Sequence, residues 1–146
     1  MADAHRFEES PDMNSIRSFT LLRGALLADA VSSGAMGLAL LAFAPALERL
    51  LQLPAGLLRE AGVVLLTFAA FVGFLASRAQ PPRGAVWTVI AINAIWVIDS
   101  VLMLFTGWVE PNALGIGFVL AQAGAVAVFA DLQYLGLRKS RSLATG

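Results

Sequence analysis

Cysteine is absent from this 146-residue chain. Its absence removes disulfides, thiolate metal sites and thiol nucleophiles, and leaves the redox compartment open. Histidine is nearly absent: the one residue, His5, lies near the N-terminus. A haem or zinc site built from several histidines is therefore excluded within one chain, and no metal or other cofactor is expected. Charge is also scarce. Only 14% of residues are charged, against about 25% in a typical soluble domain. Ten Lys and Arg balance ten Asp and Glu, so no net positive field marks a nucleic-acid partner. What remains is apolar: 58% of the chain is hydrophobic, more than a soluble fold of this length can cover.

That apolar content is concentrated in four runs, each near the 20 or so residues a helix needs to cross a bilayer. They cover about 21–44, 57–77, 84–108 and 112–137. Pro45, Pro54, Pro81, Pro82 and Pro111 lie between them as expected breakers. The expected fold is an all-α integral membrane bundle of four transmembrane helices. A polar N-terminal tail covers 1–19, the transmembrane domain 20–140, and a C-terminal tail 141–146. The first run does not read as a cleaved signal, because it is long and its flank "MADAHRFEESPDMNS" is acidic. That flank is a tail or a helix capped near Asp12 or Ser15.

Lys and Arg are unevenly divided. Arg6, Arg17, Arg23, Arg78, Arg83, Arg138, Lys139 and Arg141 fall on one side of a four-span arrangement, and only Arg49 and Arg59 on the other. The positive-inside rule places both termini in the cytoplasm, and the expected location is a bacterial inner membrane. Trp87 and Trp108 then mark the two ends of the third span as interfacial aromatics. In "PALERLLQLP", Leu47, Leu50 and Leu51 share one helical face, which predicts a short interfacial helix, or a lid, after Pro45.

Three aspartates, Asp29, Asp99 and Asp131, interrupt the apolar runs. A mid-span Asp costs about 2.5–3.5 kcal/mol on insertion scales, so such residues face the bundle interior or water. Asp131 lies roughly 9 Å from the cytoplasmic end and Arg23 begins the first span on that side, which predicts an ion pair. Asp99, roughly 13 Å below the outer surface, has only the more distant Arg59 as a cation. Asp29, roughly 12 Å from the cytoplasmic end, has no basic residue at its level. It is expected to be neutral, bonded to polar groups or open to water.

Helical spacing supplies candidate partners. Asp29, Ser32, Ser33 and Met36 follow the i, i+3, i+4, i+7 rule on the first span. Asn93, Trp96, Ser100 and Met103 do so on the third, with Asp99 beside them and Asn93 near the depth of Asp29. Gln122 adds an amide on the fourth span, and the Trp96 indole N–H needs an acceptor wherever it is buried. One polar seam from Asp29 to Asp99 accounts for these residues. Three readings remain open: interhelical hydrogen bonds that only hold the bundle, a site for a small molecule or lipid headgroup, or an ion or proton path. Small residues at four-residue spacing, such as Gly24, Ala28 and Gly34, Gly37 on the first span, permit close helix approach within a monomer or between copies. Phe68, Phe71 and Phe74 read as packing or lipid-facing side chains.

The third run "AVWTVIAINAIWVIDSVLML" and the fourth, "VFADLQYLGLRK", resemble small four-helix integral membrane proteins of bacteria. The resemblance implies the fold and no activity. "GALLAD", Gly24 to Asp29, is similar to the first helix of small multidrug resistance transporters, which leads to a membrane-embedded glutamate. That likeness implies proton exchange for a cationic substrate, with the role falling on Asp29 alone. The chain departs from that family in carrying Asp for Glu, and Asp99 and Asp131 have no counterpart there.

These features favour a bundle whose polar seam binds a small ligand or lipid or supports a membrane partner, including a second copy of the chain. The alternative is a proton- or cation-coupled transporter or channel using Asp29. An enzyme is not expected: Ser32 and Ser33 have no histidine base, and Asp29 and Asp99 differ in depth.

Overall fold

The computed structural model describes residues 13–142. They form four helices: α1 Met13–Leu51, α2 Ala55–Ser77, α3 Arg83–Phe105 and α4 Ala113–Ser142. No strand occurs among the described residues. All four helices are long and apolar enough to cross a membrane. Short connections make consecutive helices antiparallel, so the start of α1, the α2–α3 loop and the end of α4 share one end of the bundle. Arg78, Arg83, Arg138 and Lys139 lie there, and it is called the basic face below.

Pro45 does not end the first helix. It sits inside α1, which runs unbroken to Leu51, so the separate interfacial helix expected after it does not form. A proline in a helix leaves the carbonyl four residues back without its donor. Tertiary contacts outweigh that loss. Leu47 packs onto the apolar core at this end, and Ala44 and Leu51 are buried in it. The Arg49 Nε–H donates to the Pro45 carbonyl at 3.3 Å. Asn112, just before α4, closes the end of α1 from across the bundle. Its Nδ2 donates to the Leu50 carbonyl at 2.8 Å, and its backbone N–H to the Leu51 carbonyl at 3.2 Å. The same side chain caps α4, because its Oδ1 accepts the Gly115 N–H at 2.9 Å. Glu48 likewise serves α2, its carboxylate accepting the Ala55 N–H at 3.1 Å.

Without a hydrophobic force between helices in lipid, close packing decides which helices meet. Gly37 of α1 and Gly62 of α2 press together so closely that a Cβ on either would lie 2.9 Å from the carbonyl oxygen of the other. Gly136 of α4 rests on the backbone of Leu22. A Cβ on Gly115 would collide with the Leu51 carbonyl. α1 therefore packs along both α2 and α4, and α4 along α3, whereas α2 and α3 barely touch.

The opening between α2 and α3 is confined to one half of the bundle. Near the basic face all four helices contribute to one core: Leu22 and Leu26, Val72, Leu75 and Ala76, Val86 and Val89, and Leu137. In the other half the buried core residues come from α1, α2, α4 and the connecting loops. The buried residues of α3 are Val86, Val89 and Asn93, all in its first half. Beyond Asn93 α3 has no buried residue, and Trp96, Met103 and Leu104 pack only partly buried against the core of that half.

Candidate binding cleft and the polar cluster beside it

The polar residues of the spans fall into two separate groups. The first is a closed cluster at Asp29, whose side chain is fully buried. Ser33, one turn on along α1, donates its hydroxyl to Asp29 Oδ1 at 3.1 Å. Asn93 of α3 and Gln133 of α4 each donate an amide N–H to Asp29 Oδ2, at 2.8 and 2.7 Å. Asn93 also reaches Gln133 Oε1 at 3.4 Å. Among the described residues no cation takes part. The carboxylate instead accepts three donors from three helices, the pattern that lets an acidic group persist in a low-dielectric interior. Ser33, Asn93 and Gln133 are themselves buried.

The spacing and depth of the sequence place Asp29, Ser33 and Asn93 together, as they are found. Gln133 is the partner that sequence reasoning missed, because its nearness to Tyr134 and the basic end reads as interfacial. A signal was available. Val119, Ala123, Val126, Gln133 and Leu137 are all buried and repeat at three, four and seven residues along α4, the stripe that faces the bundle.

The second group lines the opening between α2 and α3. Asp99, Trp96, Ser100 and Met103 of α3, Leu57, Leu58 and Ala61 of α2, and Phe118, Val119 and Gln122 of α4 surround a cavity of about 210 Å³. Leu40 and Leu53 close its inner end. The cavity is partly open rather than enclosed. Asp99 is exposed and has no hydrogen bond or ion pair among the described residues. The Trp96 Nε1–H is buried and also lacks a partner. An orphaned buried donor costs about 1–3 kcal/mol, and an aspartate at this depth is costly as well. The cleft therefore joins apolar walls to an unused acceptor and an unused donor.

The expected single seam is thus divided. Asn93 and Asp99 are six residues apart, which leaves their side chains pointing about 120° from one another around α3. Asn93 faces Asp29, and Asp99 lies with the exposed Ile95 and Leu102 at the mouth of the cleft. Gln122 borders both this cleft and a second cavity of about 240 Å³ between α1 and α4, which reaches Ser32 and Ser33. Gln122 therefore lies between the two groups.

The expected Arg23–Asp131 ion pair is not formed: both residues are exposed and share no contact among the described residues. The contact of α4 with α1 is set by Gln133 and Gly136, and Asp131 lies about 200° around the helix from Gln133. Arg59 is likewise exposed and leaves Asp99 unpaired. Among the described residues no group of His, Cys, Asp and Glu could hold a metal ion. Trp87 and Trp108 are exposed at opposite ends of α3, where interfacial aromatics belong. No protein family, curated protein or solved structure matches the chain. The fold and site define a class, a four-helix multi-pass membrane protein with a partly open cleft.

Proposed function

We propose that this protein binds a lipid-like small molecule, taken from the bilayer into the α2–α3 cleft. The carrying observation is the pairing of Asp99 and Trp96 Nε1, both without a partner among the described residues, in a mostly apolar, partly open cavity. A binding site of this kind needs mostly apolar walls and a few convergent polar groups. The ligand's polar end would accept from Trp96 and donate to Asp99, with Ser100 and Gln122 able to do either. A hydroxyl or amine on an apolar body meets that demand. The bias of Lys and Arg supports a cytoplasmic basic face, which would put the cleft in the outer half of a bacterial inner membrane. The alternative of proton- or cation-coupled flux through Asp29 draws less support, because that carboxylate is fully buried against internal donors.

The test uses Trp96 as its own reporter. In a W87F/W108F background in lipid nanodiscs, brominated dodecanol should quench Trp96 fluorescence saturably. Ala61→Phe, which fills the cleft, should remove the saturable part. Quenching that rises linearly and is unchanged by Ala61→Phe would contradict the proposal. A stable dimer cross-linked through α2 and α3 would assign the cleft to a second copy instead.

A further inference from the structure

A separate feature lies at the basic face, on the side of the bundle where α3 begins and α4 ends. Arg83 and Trp87 of α3 face Tyr134, Leu137 and Arg138 of α4 around a cavity of about 350 Å³. The Trp87 and Tyr134 rings meet edge to face, with centroids 5.8 Å apart. Among the described residues no carboxylate lines the cavity and neither arginine has an ion pair.

The two helices repeat one vertical order. Arg83 is four residues from Trp87, and Arg138 is four from Tyr134. Each guanidinium therefore sits at the rim, with an aromatic ring about 6 Å deeper on the same helical stripe. The stripes continue inward as Ala91 and Ala94 on α3 and Ala130 and Ala127 on α4, all open or partly open. Small side chains there leave a shallow strip below the rings.

We propose that this pocket binds the headgroup of an anionic phospholipid. Two guanidiniums can fork around one phosphate through parallel N–H donors. Trp and Tyr suit the level just beneath a headgroup, where one end of the ring is wet and the other apolar. The alanine strip takes an acyl chain. Basic pockets between helices at a cytoplasmic surface recognise such headgroups, and the arrangement here adds the hydrophobic strip that free phosphate would not use. The site is independent of the α2–α3 cleft and shares no residue with it.

Native mass spectrometry of the detergent-solubilised protein tests this, with dioleoylphosphatidylglycerol and dioleoylphosphatidylcholine as probes. One phosphatidylglycerol should be retained in preference to phosphatidylcholine by about tenfold. R83Q/R138Q should lose that preference, whereas R83K/R138K, which keeps the charge but not the fork, should lose only part of it. Arg59→Gln, at the other end of the bundle, should change nothing. Equal retention of the two lipids would overturn the proposal, as would a loss of preference in Arg59→Gln equal to that in R83Q/R138Q. Displacement of the lipid by millimolar inorganic phosphate would assign the pocket to free phosphate instead. Unchanged melting temperature in the glutamine variant separates loss of the site from loss of the fold.

Discussion

Asp29 and Asp99 are the same side chain in two apolar helices, and the bundle treats them in opposite ways. Asp29 is sealed at the meeting of α1, α3 and α4, with every near partner a donor. Asp99 stands at the mouth of a cleft with no partner among the described residues. The difference comes from packing. Near the basic face α3 is held in the core by Val86, Val89 and Asn93, and a polar group caught there must be satisfied internally. Beyond Asn93 α3 has no buried residue, and Asp99 and the Trp96 Nε1–H there have no partner among the described residues. One polar region is closed by hydrogen bonds between helices, and the other is left without partners among the described residues.

The largest effect should come from breaking the sealed group. Asp29→Leu strands the Ser33 hydroxyl and two buried amides, and should cost about 3 kcal/mol or more in an unfolding titration. Adding Asn93→Leu should restore part of the loss, because a stranded donor is removed with its acceptor. Asp29→Asn, whose amide oxygen can still accept from both amides, should cost much less than Asp29→Leu. Strictly additive losses in the double variant would mean that the two residues are not coupled.

Next come the close helix contacts that set which helices part. Gly115→Ala forces a methyl group onto the Leu51 carbonyl and should cost about 1–3 kcal/mol. Gly37→Ala should cost a similar amount, since its new Cβ meets the Gly62 carbonyl. Gly24→Ala, where nothing lies within reach of the added carbon, should be neutral or slightly stabilising. Equal melting temperatures for all three would remove the packing basis of the comparison.

The smallest change in stability should come from the open group. Asp99→Leu places an apolar side chain on a lipid-facing surface and should leave the melting temperature unchanged or raise it. The same variant should weaken saturable quenching of Trp96 by brominated dodecanol. A loss of stability matching that of Asp29→Leu would show that Asp99 has an internal partner, and the contrast would fail.

Much of this was legible in the sequence. Apolar runs separated by prolines located the four helices, because span length is set by the bilayer and not by tertiary detail. Shared depth and helical spacing put Asp29, Ser33 and Asn93 together. Other features depend on contacts between distant segments. Pro45 stays helical because Leu47 and Leu51 beyond it pack onto the core and Asn112, 62 residues from Leu50, closes the helix end. Gln133 turns inward because Gly136 brings α4 onto Leu22. The parting of α2 and α3 has no local signal at all, since it depends on where α1 and α4 hold them. Arg23 and Asp131 share a depth but not a facing direction, and depth alone was not enough to pair them.

The orientation of the whole can be fixed by single cysteines at Ala79 and Glu110, exposed in loops at opposite ends of the bundle. They should react with an impermeant reagent from opposite sides of the membrane, with Ala79 cytoplasmic. Reaction of both from one side would contradict four crossings.

The contrast between the two aspartates is tested most directly by a carboxyl reagent that enters from the bilayer. Dicyclohexylcarbodiimide, followed by peptide mapping in a mass spectrometer, reads which carboxyl groups lipid-soluble molecules can reach. Asp131, exposed on α4, serves as the reachable reference. The expected result is an adduct on Asp99 that forms as readily as that on Asp131, is reduced by prior addition of dodecanol, and is absent from Asp29. An adduct on Asp29 under conditions that leave Asp99 unmodified would contradict the account.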